Sequence, residues 1–313
     1  MITSKEKNFV SAVVYVHNNE KYIGKFVQDI AMTLDNNFAK YEIICINDCS
    51  TDSSVNEIKK LSDKVSGSLS FINMSYYQGI ELAMNAGVDL AIGDFVFEFD
   101  NVFLDYSLDT IMSVYNHSLE GYDIVSAAPK KIKSHTSKIF YSIFNKNSNT
   151  TYKIRTESFR ILSRRAINRV HAMSRTIPYR KAIYANCGLK TDIIIYDNCK
   201  LDAQKQSQQL KVNRKDRAIN SIILFTDVAY KFAIILAGIM MLVTTGTAIY
   251  TIVIFFGNAK PVAGWTTTML FLAFAFFGVF AISAVIIKYL TIILNLIFNK
   301  QRYTIESIEK VNK

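Results

Sequence analysis

Two uncharged runs near the end of the chain, Phe232 to Ala259 and Pro261 to Ile287, are separated by Lys260 alone. A helix crossing about 30 Å of hydrocarbon needs roughly 20 apolar residues, whereas helices buried in globular domains average about 11 or 12. Each run is therefore read as a membrane span, over residues 232–256 and 264–287, closed into a hairpin by the turn Gly257-Asn258-Ala259-Lys260-Pro261. Lys211, Arg214, Lys215, Arg217 and Lys231 precede the hairpin, and Lys288, Lys300, Arg302, Lys310 and Lys313 follow it. By the positive-inside rule both chain ends are expected in the cytoplasm, making this a multi-pass cell-membrane protein. The organisation implied is a cytoplasmic domain over 1–210, a juxtamembrane interfacial helix over 211–231, the two spans within 232–298 and a cytoplasmic tail over 299–313. Gly238, Gly246 and Gly278 allow the close helix approach a homo-oligomer would use.

About 210 residues suffice for one domain with a sizeable core. Phe9 to Val16 is too short and too β-branched for the apolar part of a signal peptide, so an exported N-terminus is not expected. Cys45, Cys49, Cys187 and Cys199 show no close Cys-x-x-Cys spacing and are read as reduced, small buried hydrophobes. The four histidines have no metal-ligand spacing. Charge is segregated: residues 1–129 carry a net −10, residues 130–217 a net +16 and the remainder +4. A basic block before a membrane hairpin is read as facing anionic headgroups or holding a lipid phosphate; without a nucleic-acid module, nucleic acid is not an expected partner.

The first hundred residues alternate strand and helix. Phe9–Val16, Tyr41–Asn47, Leu69–Met74 and Phe95–Phe99 read as strands; Lys21–Leu34, a segment from Asp52 capped by Ser50 or Thr51, and Gly79–Ile92 read as helices. This order predicts an α/β domain with a mainly parallel, Rossmann-like sheet that binds its ligand at the carboxyl ends of the strands. Polar residues stand at those ends: His17 to Glu20, Asp48 to Asp52, Tyr76 to Gln78, and Asp100 with Asn101.

YEIICINDCSTDS (Tyr41 to Ser53) and NAGVDLAIGDFVFEFD (Asn85 to Asp100), with the tail segments PVAGWTTTMLFLAFAFFGVF and RYTIESIEK, resemble family 2 glycosyltransferases of the GT-A, nucleotide-diphospho-sugar-binding fold. The resemblance is to the two-helix subgroup that glycosylates polyprenyl phosphates, which includes dolichyl-phosphate mannose synthases and bactoprenol glucosyltransferases. It implies a nucleotide sugar as donor, bound by Tyr15, Asn18, Glu20, Asp48, Gln78 and Asp100. It also implies Mg²⁺ or Mn²⁺ at Asp100, the first Asp of the family's Asp-x-Asp. Val102 and Leu104 replace further metal ligands, Tyr76 and Tyr77 replace an Arg-Asn pair, and Ser158 replaces an acceptor-side Asp. Asp105 is a substitute ligand if its loop bends back, and Lys130, Arg155 or Arg160 are alternative sources of positive charge.

Thr156 to Arg165 resembles the acceptor-side segment. Arg160, Ser163 and Arg164, with Lys130, are the expected acceptor-phosphate residues, because guanidinium forks match phosphate oxygens. Asp100 and Arg160 are the expected catalytic residues. The function implied is inverting transfer of a sugar from a nucleotide sugar to polyprenyl phosphate on the cytoplasmic face, for cell-surface glycan synthesis. The alternative is a catalytically silent relative that serves as a binding or assembly partner.

Overall fold

The computed structural model describes residues 5–130, 152–173, 179–197 and 303–312, with short helical stretches between 141 and 146 and between 235 and 293. Two compact units are present, one formed by residues 1–145, 150–217 and 300–313 and the other by residues 146–149 and 218–299. In the second unit Gly278 lies close against Met240, and a Cβ there would come within 2.6 Å of the Met240 Cγ.

In the first unit the expected alternation is present. Strands β1 (Val10–Val16), β2 (Tyr41–Asn47), β3 (Ser68–Met74) and β4 (Phe95–Phe99) alternate with helices α1 (Glu20–Asn37), α2 (Ser54–Lys59) and α3 (Ile80–Leu90). Then follow α4 (Asp109–Leu119), β5 (Ile124–Pro129), β6 (Phe159–Ser163), α5 (Arg164–Met173), α6 (Arg180–Asn186), β7 (Thr191–Tyr196) and β8 (Ile305–Lys310). One eight-stranded sheet runs β7-β5-β6-β4-β1-β2-β3-β8. β1, β2, β3 and β4 are parallel, whereas β6 runs antiparallel between β4 and β5, and β8 runs antiparallel along β3.

β1 is buried along its whole length, as a central strand covered on both faces must be. Ile23, Phe26, Val27, Ile30 and Leu34 put one stripe of α1 into the core. Gly87 lets α3 lie directly on Val13 and Ile46, where a Cβ would collide with both side chains. The order β3-β2-β1-β4 reverses chain direction across the sheet between β1 and β4, and crevices at such switch points take ligands at the carboxyl ends.

Several expectations need correction. Among the described residues no helix is long and apolar enough to cross a membrane. That finding overturns the expected multi-pass localisation, because a span requires an unbroken apolar helix of roughly 20 residues. Most of residues 232–298, together with 198–231 and Cys199, lies outside the described residues. α2 begins at Ser54 rather than near Asp52, and Ser50 and Thr51 bond to the β1 turn instead of capping it. Cys45 and Cys187 are buried free thiols, with burial pushing Cys45 up to about 12, but Cys49 is exposed.

Candidate active site

The turns after β1 and β2 are laced together. Asn18 donates its backbone N–H to Ser50 Oγ (3.1 Å), and its side-chain Oδ1 accepts the Thr51 N–H (2.8 Å). The Glu20 N–H donates to Asp52 Oδ2 and the Ser53 N–H to Glu20 Oε2, both at 3.0 Å. Asn18 (φ 53) and Cys49 (φ 56) hold left-handed backbone, a conformation that non-glycine residues keep only where their surroundings enforce it.

Asp48 is the pin beneath these turns. Its carboxylate is fully buried and accepts the Tyr15 hydroxyl (2.9 Å) and the backbone N–H groups of Gln78 and Gly79 (both 2.8 Å). Gly79 has φ 84, which a side chain would strain, and it opens α3. Asp48 and Tyr15 thus tie the turn before α3 to the ends of β1 and β2. Gln78 donates its amide to the Thr304 carbonyl (2.6 Å) and accepts the Thr304 N–H (2.9 Å), extending the β3–β8 pairing by one step. Of the expected donor residues, Tyr15, Asn18, Glu20, Asp48 and Gln78 all bond protein partners through their side chains, and Asn18 and Glu20 are exposed.

Tyr76 and Tyr77 are 60% and 39% exposed, the Tyr77 ring lies 4.7 Å from His17, and Val102 is buried in the core.

Asp100 follows β4 and sits in a closed ionic ring. Glu98 and Asp100 lie two apart on one face of β4, and the antiparallel register sets Arg160 of β6 opposite Glu98. Arg160 donates to Glu98 Oε2 (2.7 Å), Asp100 Oδ2 (3.0 Å) and Glu157 Oε2 (3.1 Å). Arg180, from the start of α6, donates to Glu98 Oε1 (2.8 Å), Asp100 Oδ1 (2.7 Å) and Glu81 Oε2 (3.0 Å). Tyr184 adds a hydroxyl to Glu98 Oε1 (2.9 Å), and Lys181 approaches Glu157 (3.8 Å). Both guanidiniums are 1% exposed.

Burial raises the Asp100 carboxyl, but Arg180, Arg160 and Lys181 outweigh it and hold the group well below the usual carboxylate range. The same carboxylates hold both arginines above their ordinary values against burial. Glu81, Glu98, Asp100 and Glu157 face Arg160, Arg180 and Lys181, which leaves one negative charge in excess.

That excess bears on a divalent cation. Each Asp100 oxygen takes one arginine N–H and keeps a second lone pair, and the side chain is 18% exposed. Mg²⁺ is commonly held by one or two carboxylates completed by substrate phosphates and water. Asp100 fits that role as a single protein ligand. Among the described residues no group of three His, Cys, Asp or Glu side chains could hold a metal ion.

Asp105, in the loop after β4, bonds Ser158 and Tyr196 and forms no metal-holding group with Asp100 among the described residues. Asp105 Oδ1 accepts the hydroxyls of Ser158 (3.0 Å) and Tyr196 (2.8 Å), so a carboxylate stands beside Ser158 although the chain has none at that position. The expected acceptor-phosphate residues do not converge. The antiparallel register puts Ser163 opposite Phe95, at the amino end of β4 and away from Asp100. Ser163 donates to Asp123 (2.9 Å), and Arg164 bonds the carbonyls of Ala91 and Gly93. Lys130 pairs with Asp197 at 3.2 Å on the surface. Arg160 is consumed by the ring.

Arg180, Glu98, Glu81, Tyr184 and Tyr196 were not singled out by the sequence. Glu98 alone carried a signal: a carboxylate inside the apolar strand FVFEF has to be paired when buried.

The profile of the family described as Glycosyl transferase family 2 matches residues 11–188, which takes in β1 to β6 and the ring. The chain belongs to that family. The prophage bactoprenol glucosyl transferase homolog of Escherichia coli (strain K12) is 31% identical over 199 residues, 60% of this chain and 62% of that relative. A glycosyltransferase of Synechocystis sp. is 26% identical over 196 residues, 60% of each. The alignment thus spans about three fifths of the length of these curated relatives. Among solved structures, the mannosyltransferase PcManGT from Pyrobaculum calidifontis, in complex with GDP-Man and Mn²⁺, superposes with a TM-score of 0.51 at 14% identity. It covers 95% of this chain and 89% of its own, and at that identity the likeness shows the GT-A fold.

Proposed function

We propose that this family 2 glycosyltransferase moves one sugar from a nucleotide sugar to a polyprenyl phosphate, with inversion at the anomeric carbon. The observation that carries the reading is the Asp100 ring standing at the carboxyl end of β4, next in the sheet to the laced turns that follow β1 and β2. The nucleoside would lie along the laced turns of Asn18–Glu20 and Cys49–Ser53, and the diphosphate would reach toward Asp100. Asp100 would hold Mg²⁺ or Mn²⁺, which would neutralise charge on the leaving diphosphate. Arg160 and Arg180 fix the Asp100 carboxylate in its ionised form and in one orientation. They act as positioning residues.

A phosphomonoester has a second pKa of about 6, so the acceptor oxygen is ionised near neutral pH and needs no strong base. That oxygen forms the new bond to the anomeric carbon on the face opposite the diphosphate. The old carbon–oxygen bond breaks, and the nucleoside diphosphate departs with its electron pair. The bactoprenol relative supports the choice of acceptor. The commitment of Asp48 and Gln78 to protein partners favours the rival reading, a silent relative that retains only the fold.

Transfer of radiolabelled sugar from a panel of UDP- and GDP-sugars to polyprenyl phosphate separates the two. Lipid-linked product supports the transferase. No product from any donor, alongside measurable nucleotide binding, supports the silent relative.

A further inference from the structure

The charged ring around Asp100 is sealed over most of its members. The side chains of Glu98, Arg160, Arg180 and Glu157 are 3% exposed or less. The ring meets solvent at Asp100, at Glu81 (13%) and at Lys181 (12%). Two of these are carboxylates, and Lys181 is the cation. Arg160 and Arg180 each spend their Nε and both Nη groups on carboxylates. Lys181 spends nothing comparable: its Nζ lies 3.8 Å from Glu157 Oε2, beyond hydrogen-bond reach, and it makes no hydrogen bond to another described residue. An ammonium has three N–H groups, so all three remain available to an anion.

Lys181 can turn to a ligand without stranding its partner. Glu157 keeps the Arg160 Nε at 3.1 Å and the Tyr152 hydroxyl at 3.3 Å. The charge balance favours that turn. The ring carries one negative charge in excess, so a phosphate that comes to Asp100 is repelled unless positive charge meets it. Lys181 is the second residue of α6, directly after Arg180, whose Nη2 holds Asp100 Oδ1 at 2.7 Å. Against the rise caused by burial, it follows Arg180 and Arg160 in lowering the Asp100 carboxyl, so its charge is felt at that carboxylate.

We propose that Lys181 binds the β-phosphate of the donor nucleotide sugar, as the one cation of the ring that an anion arriving at Asp100 can reach. The assignment rests on the transferase reading above, which brings the diphosphate to Asp100. Lys181 then holds the nucleoside diphosphate as it departs with its electron pair, adding a fixed positive charge where negative charge develops. The two arginines orient Asp100 from within the ring, and Lys181 touches the substrate.

The test is equilibrium binding of UDP, GDP, UMP, GMP and farnesyl phosphate to the full chain, with and without Mn²⁺; the monophosphates lack the β-phosphate. Wild type, Lys181→Gln and Lys181→Arg are compared. For the base that binds, Lys181→Gln should weaken the diphosphate at least about tenfold, the loss expected for a hydrogen bond between charged groups. The monophosphate and farnesyl phosphate should bind as before. Lys181→Arg keeps the charge and should keep most of the diphosphate affinity. Equal diphosphate binding by wild type and Lys181→Gln, or none by wild type, would overturn the contact. Parallel losses of diphosphate and monophosphate would show no contact specific to the β-phosphate and overturn it as well. A loss confined to farnesyl phosphate would give Lys181 to the acceptor and overturn the donor assignment. If wild type transfers no sugar but Lys181→Gln still loses the diphosphate alone, the contact stands and the transferase reading falls.

Discussion

Replacing Arg180 by Gln should destabilise the fold more than replacing Glu98 by Gln, although Glu98 is the more deeply buried end of their shared ion pair. Glu98 has no exposed surface and binds both arginines and Tyr184; Arg180 is 1% exposed and binds Glu98, Asp100 and Glu81. Removing one partner of a buried ion pair typically costs about 3–5 kcal/mol. The charge balance then separates the two variants. With four carboxylates facing three cations, Glu98→Gln leaves three against three, whereas Arg180→Gln leaves four against two. The first should lie near the lower end of that range and the second at or above its upper end. For a domain of 150–250 residues, each kcal/mol corresponds to a Tm shift of about 2–4 °C, so drops of roughly 6–12 °C and 10–20 °C are expected. Thermal unfolding of the full chain followed by circular dichroism measures both, with urea midpoints as a check. Equal losses, or a loss below about 1 kcal/mol for either variant, would refute a closed buried ring with an acidic excess.

Three further outcomes follow from the same geometry. Gln78→Ala deletes both bonds to Thr304 and should cost roughly 1–3 kcal/mol, with faster amide exchange along β8 than along β1. Asp105→Asn should slow transfer more than Ser158→Ala, because Asp105 supplies the charge that both hydroxyls bond; equal effects in steady-state kinetics would contradict that. His117 titrates above its ordinary 6.5, chiefly through its bond to Asp192 and secondarily through Glu120 against burial. Its contribution to stability is complete below pH 6.5 and fades as pH rises through the raised value. The stability gap between wild type and His117→Gln should therefore shrink from pH 6 to pH 8, and a constant gap in urea midpoints would refute the pairing.

The front half of the fold was legible because each of its elements carries its own signal. Tyr41–Asn47 and Phe95–Phe99 match β2 and β4 residue for residue, being apolar runs bounded by turn residues. β6 and β8 lacked that signature. β6 reads RILS around a buried arginine, and β8 is an edge strand whose side chains are mostly exposed, so neither shows a continuous apolar run. The site was half legible. Asp100 and the two laced turns follow from strand ends, but Arg180 comes from a helix whose place is set only by tertiary packing.

Among the described residues, part of the charge segregation is used within the first unit. The acidic front of the chain and its basic middle meet inside the domain, where Arg160, Arg164 and Arg180 are bound by carboxylates or carbonyls, and at its surface, where Arg165 pairs with Asp123.

The most direct measurement is the initial rate of lipid-linked product formation by wild type and Asp100→Asn across a Mn²⁺ titration, with Mn²⁺ retention in the nucleotide complex followed by electron paramagnetic resonance. The account predicts that Asp100→Asn loses both the nucleotide-dependent Mn²⁺ signal and at least about a hundredfold in rate, the scale of removing one electrostatic stabiliser. Transfer by Asp100→Asn at the wild-type rate, with or without Mn²⁺, would contradict it.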